Sequence, residues 1–575
     1  MLNSTSSANS YNEADARPID SLETLLDRPL FVAGWDWEKT LYVLLIVTAL
    51  ITRLYGLGDR VQSHDESIHT RYSWNLYTGR GFAHDPLMHG PYLFHATALS
   101  YFLFGDNDFS ARVPVALMGV ALVAFPYLLR RWLGRSGALA TTFLLLISPA
   151  IAYYSRYIRH DIPVALWAMI VWSSIFAYLH DGRSRWLYTM AAGVSLMFAT
   201  KEVAFIYSAI FGVFLVVLFL NQVLSRRWPV ASLNVAFLVL LGVAAAGLGL
   251  VALGVVRQQE GAGLASWAIA GGAVAGVAAV AATVVLLYAL GAELRSYRSF
   301  DLIVVLATLC LPFLSPALVS LMGLDPIDYQ PPTIYTTAIV TAGVVAVSAM
   351  IGLFWSLRRW SIAAAIHYAI FLVLFTTFFT NGFGIASGLV GSLGYWLKQH
   401  EVQRGNQPQY YYVVMVSFYE FLPWLLATLA PVFIGVRALM RRRNHGDRMS
   451  VDQGDTRERG ATGDRAQGRP VRATREMHPG SDPAVSERTF VPFLLWWTAL
   501  AWLAYSIAGE RMPWLIVHIT LPMIVLSGWL VGRLVDAVDW GQIVRQRAWI
   551  LALVFPPLLM AIAALGRAVA ARPFS

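Results

Sequence analysis

Cysteine and lysine are nearly absent from this chain. Its 575 residues hold one cysteine, Cys310, and three lysines, Lys39, Lys201 and Lys398. A single cysteine excludes a disulfide within the chain, so cysteine usage leaves the redox compartment open. Charge is scarce as well, at 13% of residues, where a soluble domain carries roughly a quarter. Hydrophobic residues make up 57%. That balance excludes an ordinary soluble enzyme and describes an integral membrane protein. The formal net charge of +9 does not point to nucleic acid. The arginines lie in short loops between apolar runs, as the positive-inside pattern requires. Nor does the start of the sequence look like a secretory signal. The first 38 residues are polar and mixed in charge, so the run from Leu41 to Leu54 is expected to stay as an uncleaved first span.

What is present is a series of apolar runs near the ~20 residues that a bilayer demands. The expected fold is all-α, a polytopic transmembrane helix bundle of about fifteen spans. The first ends near Tyr55, and the rest are expected at 111–130, 137–154, 163–180, 187–203, 204–222, 231–254, 264–290, 301–322, 335–356, 361–380, 417–439, 490–507, 514–533 and 548–569. Residues 1–38 form a tail and 39–440 the main membrane module, with long loops at 58–110 and 381–416. The first of these loops contains a short amphipathic segment and a candidate re-entrant one, Tyr92 to Phe104. Residues 441–489 are expected to be a disordered basic linker. From 441 to 488 it counts 11 Arg against 8 Asp plus Glu, with few apolar residues, too little to bury for folding. Residues 490–575 hold the last spans. The stretch 244–282 is rich in Gly and Ala, which suits close helix packing.

If the spans alternate, the arginine-rich loops (Arg130-Arg131, Arg226-Arg227, Arg358-Arg359, Arg441 to Arg443) share one face with the amino terminus. That face is expected to be cytoplasmic and the membrane the plasma membrane. The residues that look chemical then lie on the opposite, outer face.

The first outer loop opens Ser63-His64-Asp65-Glu66-Ser67-Ile68-His69. Ionisable groups beside a span are expensive and tend to be functional. Asp65 and His69 share a helix face at i,i+4. The plain alternative is N-terminal capping, and a divalent metal ion held by His64, Asp65 and His69 stays open, although the spacing fits no strong metal signature. Five of the twelve histidines fall from His64 to His95, among them His89 in His89-Gly90-Pro91. A second outer turn, Arg156 to Asp161, supplies another carboxylate and arginines. Lys201-Glu202 lies between two spans with almost no loop. Arg511 and His518 flank the start of a later span, and a guanidinium suits bidentate phosphate pairing. Tyr395, Trp396, His400 and Arg404 offer aromatic and polar groups suited equally to a sugar or to a membrane interface.

The residues Asp65-Glu66, His89-Gly90-Pro91, Phe104-Gly105 and Ala111-Arg112-Val113-Pro114 resemble the first outer loop of the GT-C glycosyltransferases. These polyprenyl-phosphate-dependent membrane enzymes include protein O-mannosyltransferases and lipid A aminoarabinose transferases. Arg156 to Asp161 resembles their second acidic loop. Ala199-Thr200-Lys201-Glu202, Tyr395-Trp396 with His400 and Arg404-Gly405, and Gly509 to Trp514 with His518 resemble a GT-C-like branch labelled flippase-activity-associated. The resemblance implies inverting sugar transfer from a polyprenyl-phosphate donor to a lipid, glycan or protein acceptor in the cell envelope. Asp65 or Glu66 would be the general base, with Asp161 orienting the acceptor or a metal. Lys201, Arg511, Arg156 and His518 would bind the donor phosphate, and His64, His69, His89, Tyr395, Trp396, His400 and Arg404 would line the substrate loops. A flippase for lipid-linked sugars, or a protein assisting one, is the alternative. It would need the same cations but no base.

Overall fold

The computed structural model describes residues 35–257, 265–400, 407–455, 484–508 and 511–546, besides 26, 27, 482 and four isolated positions from 557 to 564. Among the described residues there is no strand, and ten helices are long and apolar enough to cross a membrane. Of the fifteen expected spans, nine fall on one such helix each. Those at 335–356 and 361–380 share one element, Thr333–Phe375, interrupted at Ser356 by an extended backbone (φ −163°, ψ 104°). Trp355 and Arg359 both reach Asp301, whereas Thr341 bonds Ser315 and Thr377 bonds Phe82 at the other end. The chain therefore turns back at Ser356.

The remaining four depart for local reasons. The first span, Trp37–Leu54, carries Glu38, Lys39 and Arg53. The 137–154 run is divided into Arg135–Ile147 and Pro149–Tyr154, because Pro149 has no N–H to continue the first helix. Helix Arg185–Phe198 has only 14 residues. The 548–569 run lies outside the described residues apart from isolated positions. Helix Phe421–Asp455 runs on past residue 440 into the segment expected as a linker, and 456–481 lies outside the described residues.

At the centre stands the span Pro513–Asp536, with 94% of its apolar window buried. The hairpin Ala231–Val256 and Ser266–Leu290 lies at the periphery. Its two helices approach so closely that a Cβ on Gly247 would stand 2.4 Å from the Gly271 carbonyl oxygen. This is the packing that the Gly/Ala-rich run predicts.

The two ends of the bundle differ in chemistry. At one end arginines close helix termini. Arg130 and Arg135 hold the buried Glu38 at 3.0 and 2.7 Å. Arg298 donates to the carbonyls of Leu179 and His180 at the end of helix Asp161–Asp181, where the helix dipole favours a cation. The other end gathers the first loop, the 155–161 turn, the 199–202 break and the 376–391 segment. The first loop carries helices His64–Tyr77 and Tyr92–Phe104 and a turn, Pro86–Met88.

Candidate functional site

Helix His64–Tyr77 starts with a reciprocal cap. The Ser63 hydroxyl accepts from Glu66 N–H at 3.3 Å, and the Glu66 carboxylate accepts from Ser63 N–H at 3.1 Å. This is the capping alternative, realised by Glu66. Glu66 does more than cap. It is fully buried, grips Arg112 through both oxygens (3.0 and 3.2 Å), and accepts from Arg60 at 2.9 Å and from Ile158 N–H at 3.2 Å. Burial alone would raise its pKa, but the Arg112 guanidinium and the Ser63 amide hold it below the ordinary carboxylate range. Its oxygens are spent on joining three segments: its own helix, helix Asp108–Ala124 and the 155–160 turn.

Asp65, one residue on, points elsewhere. Its side chain is 36% exposed, and Oδ2 accepts from Arg159 at 2.5 Å. Among the described residues Oδ1 accepts no hydrogen bond. Arg159 is also 3.6 Å from Asp161 Oδ2 and lies over the Trp514 ring, 3.5 Å from its centroid. Asp161, at the start of its span, is fully buried. Its Oδ1 accepts from Lys201 Nζ at 2.6 Å and lies 3.0 Å from His518 Nε2. His518 is fixed by Tyr207 at 2.9 Å and by the stacked Tyr505 ring. One chain of charges thus runs from the surface inward: Asp65, Arg159, Asp161, Lys201. It takes residues from three separate segments.

The His89-Gly90-Pro91 turn docks on the 199–202 break. Gly90 N–H donates to Thr200 O at 3.1 Å and Tyr92 N–H to Ala199 O at 2.8 Å. A Cβ at Gly90 would meet Ala199 O at 2.2 Å, so only glycine fits. His89, at φ +67°, pairs with Glu202 at 2.6 Å. Burial would raise the Glu202 pKa, and the His89 ring beside it holds it below the usual range. His160 Nε2 is 3.2 Å from Gly90 O. His69 and His160 pack edge to face, their centroids 4.9 Å apart, and burial pushes both well below the ordinary imidazole range. They are neutral interior histidines.

The structure brings together Asp65, Asp161, Lys201 and His518, with His69, His89 and Glu66 around them. It does not bring Arg156. That guanidinium donates to the carbonyls of Thr52, Arg53, Tyr55 and Gly56 (2.8 to 3.2 Å), closing the end of the first helix. Arg159, three residues on, stands where a cation was expected. One signal could have favoured it in the sequence: it is two residues from Asp161, while Arg156 lies next to the end of a span and its free carbonyls. Trp514 is a second member that sequence reasoning quoted but did not choose. Arg511 donates to the carbonyls of Ser506 and Gln407 (3.1 and 2.5 Å), three residues from Trp514. His64 is exposed at the first turn of its helix. Tyr395, Trp396 and His400 lie on helix Ser392–His400, which packs its Gly391 end against Pro86. Arg404 lies outside the described residues.

A divalent ion does not fit this arrangement. Glu66 and Asp161 are already paired with Arg112 and Lys201, and His69 and Asp65 have separate neighbours. Among the described residues no group of three or more His, Cys, Asp or Glu is placed to hold a metal.

Residues 88–246 match the family model of dolichyl-phosphate-mannose-protein mannosyltransferases. Among curated proteins none matches in sequence. Among solved structures, ArnT from Cupriavidus metallidurans bound to undecaprenyl phosphate is 16% identical, covering 89% of this chain and 63% of its own, at a TM-score of 0.39. The oligosaccharyltransferase of Archaeoglobus fulgidus in its apo form is 14% identical, covering 92% of this chain and 54% of its own, at a TM-score of 0.41. AglB from the same organism, with an inhibitory peptide and a dolichol-phosphate, is 13% identical, covering 92% and 56%, at a TM-score of 0.42. The chain thus spans between half and two thirds of the length of these structures. Through residues 88–246 it is similar to the polyprenyl-phosphate-dependent glycosyltransferases of the GT-C superfamily.

Proposed function

We propose that this chain is an inverting membrane glycosyltransferase. It moves a sugar from a polyprenyl-phosphate donor to an acceptor hydroxyl on the outer side of the membrane, with Asp65 as general base. The observation that carries this reading is the division of labour among three carboxylates. Glu66 is buried with both oxygens held by arginines, and Asp161 is buried among Lys201, His518 and Arg159, which leaves Asp65 as the one of the three that is partly exposed, with Oδ1 open to an acceptor. Asp65 takes the acceptor proton as the hydroxyl attacks the anomeric carbon, opposite the departing phosphate. A carboxylate within reach of one hydroxyl is the geometry that general-base catalysis needs.

Charge develops on the lipid phosphate as the bond to the sugar breaks. Arg159 and Lys201 are the cations to meet it, held in place by Asp161 between them, and fixed cations of this kind stabilise a transition state without reorganising. Trp514 under Arg159 keeps the guanidinium from swinging away. Arg511 stands as a further candidate for the lipid phosphate. Glu66 is assigned to holding the helix that presents Asp65, which supports Asp65 as the base. The donor is already activated by phosphate, which makes help from a general acid less necessary.

The test is transfer of labelled sugar from a synthetic polyprenyl-phosphate donor by the purified chain. Asp65→Asn should keep the fold and lose activity about 10²–10⁴-fold. Full activity in a folded Asp65→Asn protein would sink the assignment.

A further inference from the structure

On the far side of helix His64–Tyr77 from Asp65 lies a hollow of about 320 Å³, open to the outside and lined by Thr70, Trp74, Tyr101, Asp106 and Asp108 together with Gln62, Arg71 and Asn107. That volume is at the lower end for small-ligand sites. Its walls are polar and already ordered. Trp74 Nε1 donates to Asp106 Oδ2 at 2.8 Å. Gln62 Nε2 donates to Asp108 Oδ1 at 2.7 Å, and Thr70 Oγ1 to Gln62 Oε1 at 2.9 Å. Each aspartate thereby commits one oxygen, and among the described residues the other accepts nothing from a side chain. Arg80 stacks on Trp74, 4.5 Å from the ring centroid, and Arg71 is 5.7 Å from it. Two arginines and two aspartates bring the net charge near zero, which disfavours an ionic ligand. What remains is an indole and a phenol ring beside carboxylate and amide oxygens in fixed positions.

We propose that this hollow is a second binding site, which takes a neutral sugar residue of the acceptor. It rests on the glycosyltransferase reading above and adds to it the acceptor class. The Trp74 indole takes the apolar C–H face of a sugar, and the spare carboxylate oxygens accept from its hydroxyls. Trp74 is nine residues beyond Asp65, about 13 Å along the helix axis. The hollow is therefore separate from the reacting atoms and suits a sugar further along the acceptor. The neighbouring helix Tyr92–Phe104 turns Tyr101 inward and exposes Leu99, Phe102, Leu103 and Phe104. That apolar edge puts the hollow at headgroup level, within reach of a sugar on a lipid as well as of a free glycan.

The experiment is saturation-transfer NMR on the full chain in a sugar-free detergent. The probes are the methyl glycosides of mannose, glucose, galactose and arabinose, with a parallel arm using a neutral glycolipid in nanodiscs. The expected result is transfer to ring protons of at least one glycoside or of the glycolipid headgroup, reduced at least fivefold in both Trp74→Ala and Asp106→Ala. Signal from the glycolipid alone identifies a membrane-held acceptor, and signal from both arms a glycan whatever its anchor. Melting and elution like the wild type show that the variants fold. No transfer in either arm, or a signal unchanged in both folded variants, overturns the proposal. Asp65→Asn should keep the signal while losing sugar transfer. Activity surviving in that variant would therefore refute the catalytic reading and leave the sugar-binding result standing.

Discussion

Arg159 holds two carboxylates at once and rests on an indole, so its shape matters as much as its charge. Lysine carries the charge but lacks the planar fork and stacks less well. Arg159→Lys should therefore keep the protein folded and weaken donor use at least tenfold, measured as kcat/KM for the polyprenyl-phosphate sugar. Wild-type kinetics would remove Arg159 from the phosphate site. Glu66 behaves differently. Glu66→Gln leaves Arg112 buried without its counter-charge, and breaking such a pair costs about 3–5 kcal/mol. Thermal unfolding should register that loss directly, whereas Asp65→Asn should leave the midpoint almost unmoved. An unchanged midpoint for Glu66→Gln would contradict the anchoring role. Two adjacent acids, alike in the sequence, are separated by these two measurements. Their difference was not legible in the sequence, because it depends on Arg60, Arg112 and the Ile158 amide, six to 92 residues away.

At the scale of elements, the site depends on a loop docked to a helix break. Gly90 lies on the Ala199 carbonyl with no room for a methyl group. Gly90→Ala must push the His89-Gly90-Pro91 turn off the 199–202 segment, at a cost of about 1–3 kcal/mol for overpacking. The turn also delivers His89 to Glu202 and receives His160, so activity should fall with stability. A variant that melts and turns over like the wild type would show the docking to be incidental. The need for glycine was half visible beforehand: His-Gly-Pro reads as a tight turn, but nothing in it names Ala199 as the surface it meets. Arg156 carries the same lesson. Its sequence neighbourhood suggested a substrate cation, and the free carbonyls at the end of the first helix claimed it.

At the scale of the molecule, the first loop and the later 376–391 segment are pinned together. His84 Nδ1 lies 2.8 Å from the Ser387 hydroxyl, and Thr377 donates to Phe82 O at 2.9 Å. Burial pushes the His84 imidazole down to about 4, from 6.5. The folded protein then keeps His84 neutral, while the unfolded chain takes up a proton as pH falls below about 6.5. His84 thus stabilises fully above that pH and progressively less between about 6.5 and 4. Melting midpoints measured from pH 8 to 4 should fall over that interval, and His84→Gln should make the fall shallower, the rest coming from His69 and His160, which burial also holds low. An unaltered slope would argue against His84 as its cause. Glu66 and Glu202, held below the usual carboxylate range, add a further loss at lower pH still.

The sequence by itself determined that the chain is a helical membrane protein, where most of its spans lie, and which loops hold the clustered charges. These follow from composition and run length, which are local properties that the bilayer enforces on each segment separately. It also supplied Asp65, Asp161, Lys201 and His518 as members of one site. The tertiary structure alone decided which carboxylates are buried among cations and which is partly exposed, that Arg159 and not Arg156 joins the charge chain, and that Trp514 lies beneath it. The physical reason is that a buried charge takes its partner from whatever segment packs against it, and that neighbour comes from elsewhere in the chain.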